Sequence, residues 1–244
     1  MKFFRRFRES LIPGKGFRKY VLYAVGEIIL VVVGILIAVT LNNLNEKRKV
    51  RNEVKQIASQ VHQKLSRDLI KTQELLGYLN EDIKLYNSYL NIEDLTVKER
   101  LAITLQAPFL VTISVDFLDV NPVVSSSLDK ATILNDSLSK KLLDIDQLYN
   151  GAGKGLTLME GIISAELIKN LNHIKENFQW YNKLVSGGSF TIEEYKYFGT
   201  PDYRNRVVHM KFLYLDGYRS ILRDFEESLI IEKDALWCLT YTDN

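Results

Sequence analysis

The chain has 244 residues, of which 46% are apolar and 25% charged, with a formal net charge of +2 and one cysteine. That length accommodates one or two domains, and a single thiol excludes a framework of internal disulfides. The near-neutral total hides a segregated charge: from residue 57 onward 20 basic residues face 26 acidic ones, which argues against a nucleic-acid partner.

Residues 1–19 are a basic amphipathic segment, with Lys2, Arg5, Arg6, Arg8, Lys15, Arg18 and Lys19 against Glu9 alone. Phe3, Phe4 and Phe7 alternate with the arginines ahead of Pro13-Gly14. This pattern suits a short interfacial helix with its rings at the acyl boundary and its guanidinium groups on anionic lipid. Residues 20–41, YVLYAVGEIILVVVGILIAVTL, contain a single ionisable residue, Glu27. At about 1.5 Å per residue they cross a hydrocarbon core of roughly 30 Å. A helix apolar on every side has no aqueous use for most of its surface, so the stretch predicts one transmembrane helix, with Tyr20 and Tyr23 in the aromatic belt.

The more basic flank of a span stays in the cytoplasm. Seven Lys/Arg precede this one, and five follow it in residues 42–56, so the expected arrangement is a signal-anchor with a cytoplasmic N-terminus. A cleaved signal peptide is the rival. Against it stand the length of the apolar run and the poor cleavage site at Ala38-Val39-Thr40.

Ile28 to Leu41 is too short to span alone, which puts Glu27 below the headgroups. A carboxylate there costs a few kcal/mol unless it is neutral, snorkelling or paired. Three readings stay open: protonation or a reach back to the cytoplasmic interface, pairing on a second membrane helix, or a place on a proton pathway. Gly34 and Ala38 form a small-xxx-small pair that permits close helix approach. The expected partners are therefore the lipid bilayer and, through this helix, a second copy or another membrane protein.

Beyond the span, Val54, Ile57, Val61, Leu65, Leu69, Leu76, Leu79, Ile83, Tyr86 and Leu90 recur at gaps of three and four, Thr72 bridging the single gap of seven. This is one helical face. A rod of about 70 residues, projecting roughly 70 Å past the bilayer, is expected, with Gly77 as the place for a bend. Thr96–Gln106 reads as helix, and Phe109–Val115 as a strand without an evident hairpin partner. Asn121-Pro122 opens a short helix to about Lys130, and Asn135-Asp136 caps another bearing Leu138, Leu142, Ile145 and Tyr149. Gly151-Ala-Gly-Lys-Gly155 reads as a linker. It fails as a phosphate loop because Leu148 stands where a glycine is needed and Gly155 where a Ser/Thr would hold magnesium. A further helix is predicted over Leu156–Val185, ended by Ser186-Gly-Gly-Ser189, and a last one over Asp202–Trp237. The fold class is thus all-α: a transmembrane helix continuing into a long amphipathic helix, packed in an up-and-down helical bundle over residues 42–244.

The opening KFFRRFRESL and KYVLYAVGEIILVVVGILIAVTLNNLNE resemble the N-terminus of a family of uncharacterised single-span membrane proteins from Bacteroidota. VVSSSLDKATILNDSLSKKL is similar to a second block of that family, although Lys130-Ala131 stands where relatives have Ser-Gly. The resemblance covers about a quarter of the chain. It implies a bacterial inner-membrane protein with a periplasmic helical domain and brings no established biochemical function. Asp136-Ser137-Leu138 is also similar to the short O-glycosylation site of such bacteria.

No catalytic constellation emerges. His62, His173 and His209 lie on separate segments without metal-ligand spacing, and Glu193-Glu194 and Glu226-Glu227 point to different sides of their helices. Cys238 reads as a small apolar residue. No catalytic residue, cofactor or metal is expected. Aromatic residues crowd the C-terminal third, where core packing competes with a partner surface formed by Tyr195, Tyr197, Phe198 and Tyr203. The expected function is non-enzymatic: a scaffold or accessory subunit of an envelope complex, with a membrane-anchored sensory or signal-relay module as the alternative.

Overall fold

The computed structural model describes residues 17–112, 116–121, 134 and 136–241, and among these it contains helices and no strand. The predicted all-α class holds. The chain divides into two units, Met1–Glu53 and Val54–Asn244. The first long element, α1 (Phe17–Leu90), is a single α-helix of 74 residues that passes through Gly77 without interruption.

In the first unit, among the described residues, α1 stands without a packing partner over its apolar run. It is the one described helix long and apolar enough to cross a membrane, and none of its most apolar window is buried. Leu22 is 77% and Ile28 64% exposed. Thr40, the polar residue near its end, donates its hydroxyl to the Leu36 carbonyl at 2.7 Å.

In the second unit the expected stripe on α1 is the buried face: Val54, Val61, Leu65, Leu69, Leu76, Leu79 and Tyr86 are all buried. Thr72 is fully buried and places its hydroxyl on the Asp68 carbonyl at 2.7 Å, which is how a threonine continues an apolar stripe. After α1 come a 3₁₀ turn at Ile92–Asp94 and α2 (Val97–Gln106), whose Thr96 and Glu99 form a reciprocal capping box. The predicted strand at residues 109–115 does not form where it is described. Ala107–Phe109 is a 3₁₀ turn around Pro108, followed by a turn through residue 112 with Leu110 and Val111 buried. Residues 113–115, and the helix predicted over 122–130, lie outside the described residues.

Asp136 opens α3 (Ser137–Asn177) by accepting from the Ser139 backbone N–H at 2.8 Å. The stretch 151–155 is helix inside α3, not a linker. Two of its three glycines face neighbours at contact distance: a Cβ at Gly153 would lie 3.5 Å from the Val120 carbonyl, and one at Gly155 3.7 Å from Ile221. Tertiary packing outweighs the roughly 1 kcal/mol that each glycine costs a helix. The helix predicted to reach Val185 instead ends at Asn177, where Phe178 turns extended at φ −133°, ψ 126°.

Next come α4 (Tyr181–Ser186), closed by Gly187 at φ +71°, and α5 (Ile192–Tyr195), opened by a Thr191–Glu194 capping box. A 3₁₀ turn (Lys196–Gly199) leads into α6 (Pro201–Met210), a π-helical segment (Lys211–Tyr218) and α7 (Arg219–Tyr241). The last three form one helical run, longer than the predicted Asp202–Trp237.

Ser59 meets Tyr241, His62 meets Trp237, Asn80 meets Arg219, and Leu90 meets Arg204. The last run is therefore antiparallel to α1. It is also antiparallel to α3, since Lys141 meets Glu232, Tyr149 meets Phe225 and Asn170 meets Arg206. The predicted helical bundle is present, and within it α1 and α3 run in the same direction, joined by a crossover from residue 91 to residue 136.

Candidate functional site

The predicted aromatic region holds most of the ring contacts found among the described residues. Two small devices position it. Gly187 supplies the left-handed turn that closes α4, a conformation open to glycine and strained for other residues. Lys183 then grips Glu194 with its ammonium at 2.7 and 2.8 Å from the two carboxylate oxygens. The Lys183 hydrogen bonds hold the Glu194 carboxyl below its ordinary range, aided by the Thr191 backbone N–H.

Between these devices and the bundle lie Phe178, Trp180, Phe190, Tyr195, Tyr197, Phe198 and Tyr203. Phe178 and Tyr197 have ring centroids 4.1 Å apart, Phe178 and Trp180 4.8 Å, and Phe198 and Tyr203 5.0 Å at 81°. Most of these contacts are tilted or edge-on, as the ring quadrupoles favour.

This arrangement corrects the partner-surface expectation for half of its residues. Phe198 is 2% and Tyr203 0% exposed, so neither is free to meet a partner. Tyr195 and Tyr197 are half-buried rim residues of the same cluster. The cluster serves the bundle: Tyr89 donates its hydroxyl to the Phe198 carbonyl at 2.6 Å, and Tyr203 donates to the Ala107 carbonyl. Burial pushes the Tyr89 hydroxyl up to about 12, against the lowering influence of Arg204. Burial also holds Tyr203 well above the ordinary tyrosine range.

Sequence reasoning treated Tyr86 and Tyr149 as members of apolar stripes and missed what their hydroxyls, and that of Tyr218, do. Tyr86 donates to the Leu110 carbonyl, and the Tyr218 oxygen accepts from the Leu118 N–H at 2.7 Å. With Tyr203 on Ala107, three buried tyrosines thus satisfy backbone groups of the crossover beyond α2, where the described residues form only a 3₁₀ turn, a further turn and irregular chain. Tyr149 donates to Asp68 at 2.8 Å while Lys64 sits 2.6 Å from the same carboxylate oxygen and 4.4 Å from the Tyr149 ring centre.

Beside the aromatic cluster, Tyr197 donates to Asp202 at 3.2 Å, and Arg206 approaches Asp202 at 3.1 Å and Asn170 at 3.0 Å. The Arg206 hydrogen bond holds the Asp202 carboxyl below its usual 3.8. His173 lies 3.5 Å from Asp202, and an open groove of about 420 Å³ runs past Lys169, His173, Glu176 and Arg206. The three histidines do not converge: His173 faces Asp202, His209 lies 3.9 Å from Glu166, and His62 packs on Trp237 at 5.2 Å. Among the described residues no group of three or more His, Cys, Asp or Glu is placed to hold a metal ion.

The other predicted site residues, Glu27, Gly34 and Ala38, lie on α1 in the first unit, each exposed. Among the described residues no group of the chain bonds to the Glu27 carboxylate, and a Cβ at Gly34 would meet nothing within 4 Å. Comparison of the chain with protein-family models, with curated proteins and with solved structures gave no match.

Proposed function

We propose that the chain is a non-enzymatic, single-pass protein of a bacterial inner membrane, with residues 1–19 cytoplasmic, 20–41 in the bilayer and 42–244 a periplasmic helical domain that serves as a scaffold or accessory subunit of an envelope complex. One observation carries the membrane reading. The apolar run of α1 offers its whole circumference and buries none of it, which water penalises by about 25 cal/mol per Å² and lipid does not. Two polar sets of the domain support a structural role: Asp68 holds Lys64 and Tyr149, and Lys141 pairs with Glu232.

Washing vesicles with carbonate and sedimenting them tests the anchor: the protein is expected in the pellet, and recovery in the supernatant removes this reading. Protease added outside spheroplasts is expected to digest residues beyond 42 and to spare the N-terminal segment. Recovery of a stoichiometric complex from mild detergent supports the scaffold role.

A second reading is a signal-relay module. The continuity of α1 from Phe17 to Leu90 favours it, since an unbroken helix transmits displacement along its axis. A copy of the chain that changes state with a small ligand, and recovers no partner protein, selects that reading.

A further inference from the structure

Resting on the membrane reading above, we infer that the apolar stretch of α1 pairs with the same stretch of a second copy through one face, on which the two Glu27 carboxyl groups hydrogen-bond to each other. At about 100° per residue, Glu27, Gly34, Ala38 and Asn45 fall within about 40° of one another around the helix axis. α1 is one uninterrupted α-helix across these positions, so the arithmetic holds in the structure. Val25, Val32, Leu36 and Val39 occupy the opposite side and are all exposed. The ionisable residue of the span and its small-residue pair therefore share a face, while the far side is aliphatic.

Two features of that face find no use inside the chain. The Glu27 carboxylate is exposed and, among the described residues, bonds to nothing, whereas the Thr40 hydroxyl is already on the Leu36 carbonyl. Gly34 has open space where a Cβ would stand, although glycine costs a helix interior about 1 kcal/mol relative to alanine. Lipid cannot solvate the first. The second opens a place where another backbone fits closely.

The occupant is a second copy because of depth. An identical anchor threaded in the same direction carries its own Glu27 to the same level in the bilayer. A two-fold axis then brings equivalent residues face to face. Any other partner has to deliver a polar group to that one level. Residues 20–41 contain no Lys or Arg, so the copies cannot answer Glu27 with a cation from the span. Two carboxyl groups in contact instead hold a proton between them, because like charges at hydrogen-bond distance do not both stay ionised.

The test uses the full chain with Cys238→Ser, reconstituted in phosphatidylethanolamine–phosphatidylglycerol vesicles, and single cysteines introduced by Ala38→Cys, Asn45→Cys, Leu36→Cys or Asn43→Cys. Oxidative cross-linking is expected at the first two positions and not at the last two. Glu27→Leu and Gly34→Leu are each expected to lower the Ala38→Cys cross-link by about threefold to tenfold, while Glu27→Gln, which still hydrogen-bonds, retains it. Equal cross-linking on both faces, no dimer, or a dimer indifferent to Glu27→Leu overturns the inference. Carbonate washing of the same vesicles separates the two failures: a pelleted monomer removes this pairing alone, whereas protein in the supernatant removes the membrane reading as well.

Discussion

Replacing Tyr89 with phenylalanine removes one oxygen atom and isolates a single buried hydrogen bond. Tyr89 is 6% exposed, and its hydroxyl donates at 2.6 Å to the carbonyl of Phe198, a residue 2% exposed. A buried acceptor left without its donor costs about 1–3 kcal/mol, so Tyr89→Phe is expected to destabilise the domain by about 2 kcal/mol. Tyr203→Phe is the internal comparison. The Ala107 carbonyl that Tyr203 serves also accepts from the Leu110 N–H at 3.2 Å, so it keeps a partner, and the expected loss is about 1 kcal/mol. For a domain of this size the first change corresponds to a fall in Tm of about 4–8 °C and the second to about half of it. Thermal and urea unfolding of the detergent-solubilised chain, followed by far-ultraviolet circular dichroism, measures both. A Tyr203→Phe loss equal to or larger than that of Tyr89→Phe, or no loss in either, refutes the hydroxyl bookkeeping.

Further outcomes follow from the same geometry. Gly187→Ala places a side chain at φ +71° with no steric neighbour within 4 Å, so the expected cost of about 1–2 kcal/mol is backbone strain alone, and Gly187→Asn should recover much of it in the same unfolding assay. Gly217→Ala brings a Cβ to 2.8 Å from the Met159 methyl and 3.3 Å from the Phe212 carbonyl. It is expected to cost about 1–3 kcal/mol, part of which Met159→Ala restores in the double variant. Asp202 has a folded-state affinity for protons below its usual 3.8, owing first to Arg206. Its contribution is present above pH 4 and disappears as pH falls through the lowered value. Wild type should therefore lose more stability than Asp202→Asn between pH 5 and pH 3, and parallel pH profiles would count against the Arg206 pairing. Tyr197→Ala takes a ring out of contact with Phe178 and Trp180 and is expected to lower Tm as well as any partner recovery. Loss of recovery at unchanged Tm would restore a purely surface role for this residue.

The stripe on α1 was legible because burial repeats with the helical period: Val54, Val61, Leu65 and Leu79 recur at threes, fours and their sums and are buried to within 4%. Residues 20–41 were legible because composition alone sets how a helix meets its solvent. What could not be read was every feature decided by a distant neighbour. Glycines at 151, 153 and 155 look like a break until Val120 and Ile221 are seen filling the space beside two of them. Phe178 and Tyr181 keep the helical spacing, yet the chain leaves the helix at Phe178, whose ring stacks on Trp180 and lies tilted against Tyr197. Periodicity also carries no direction, so the parallel run of α1 and α3 left no mark. The aromatic cluster was located correctly and assigned half wrongly, because a tyrosine with a free hydroxyl and a tyrosine donating to a buried carbonyl are the same letter.

The crossover's use of Tyr203 and Tyr218 sets an order of events as the chain emerges from the ribosome. The Ala107 carbonyl and the Leu118 N–H meet these tyrosines only after about a hundred more residues have been made. A chain arrested before Tyr203 has its first two long helices and Tyr86 on the Leu110 carbonyl, but lacks the two tyrosines that serve Ala107 and Leu118. The closing helix is thus the latch of the domain, and truncation from the C-terminal end should open the crossover to proteases well before α1 and α3 lose their helicity.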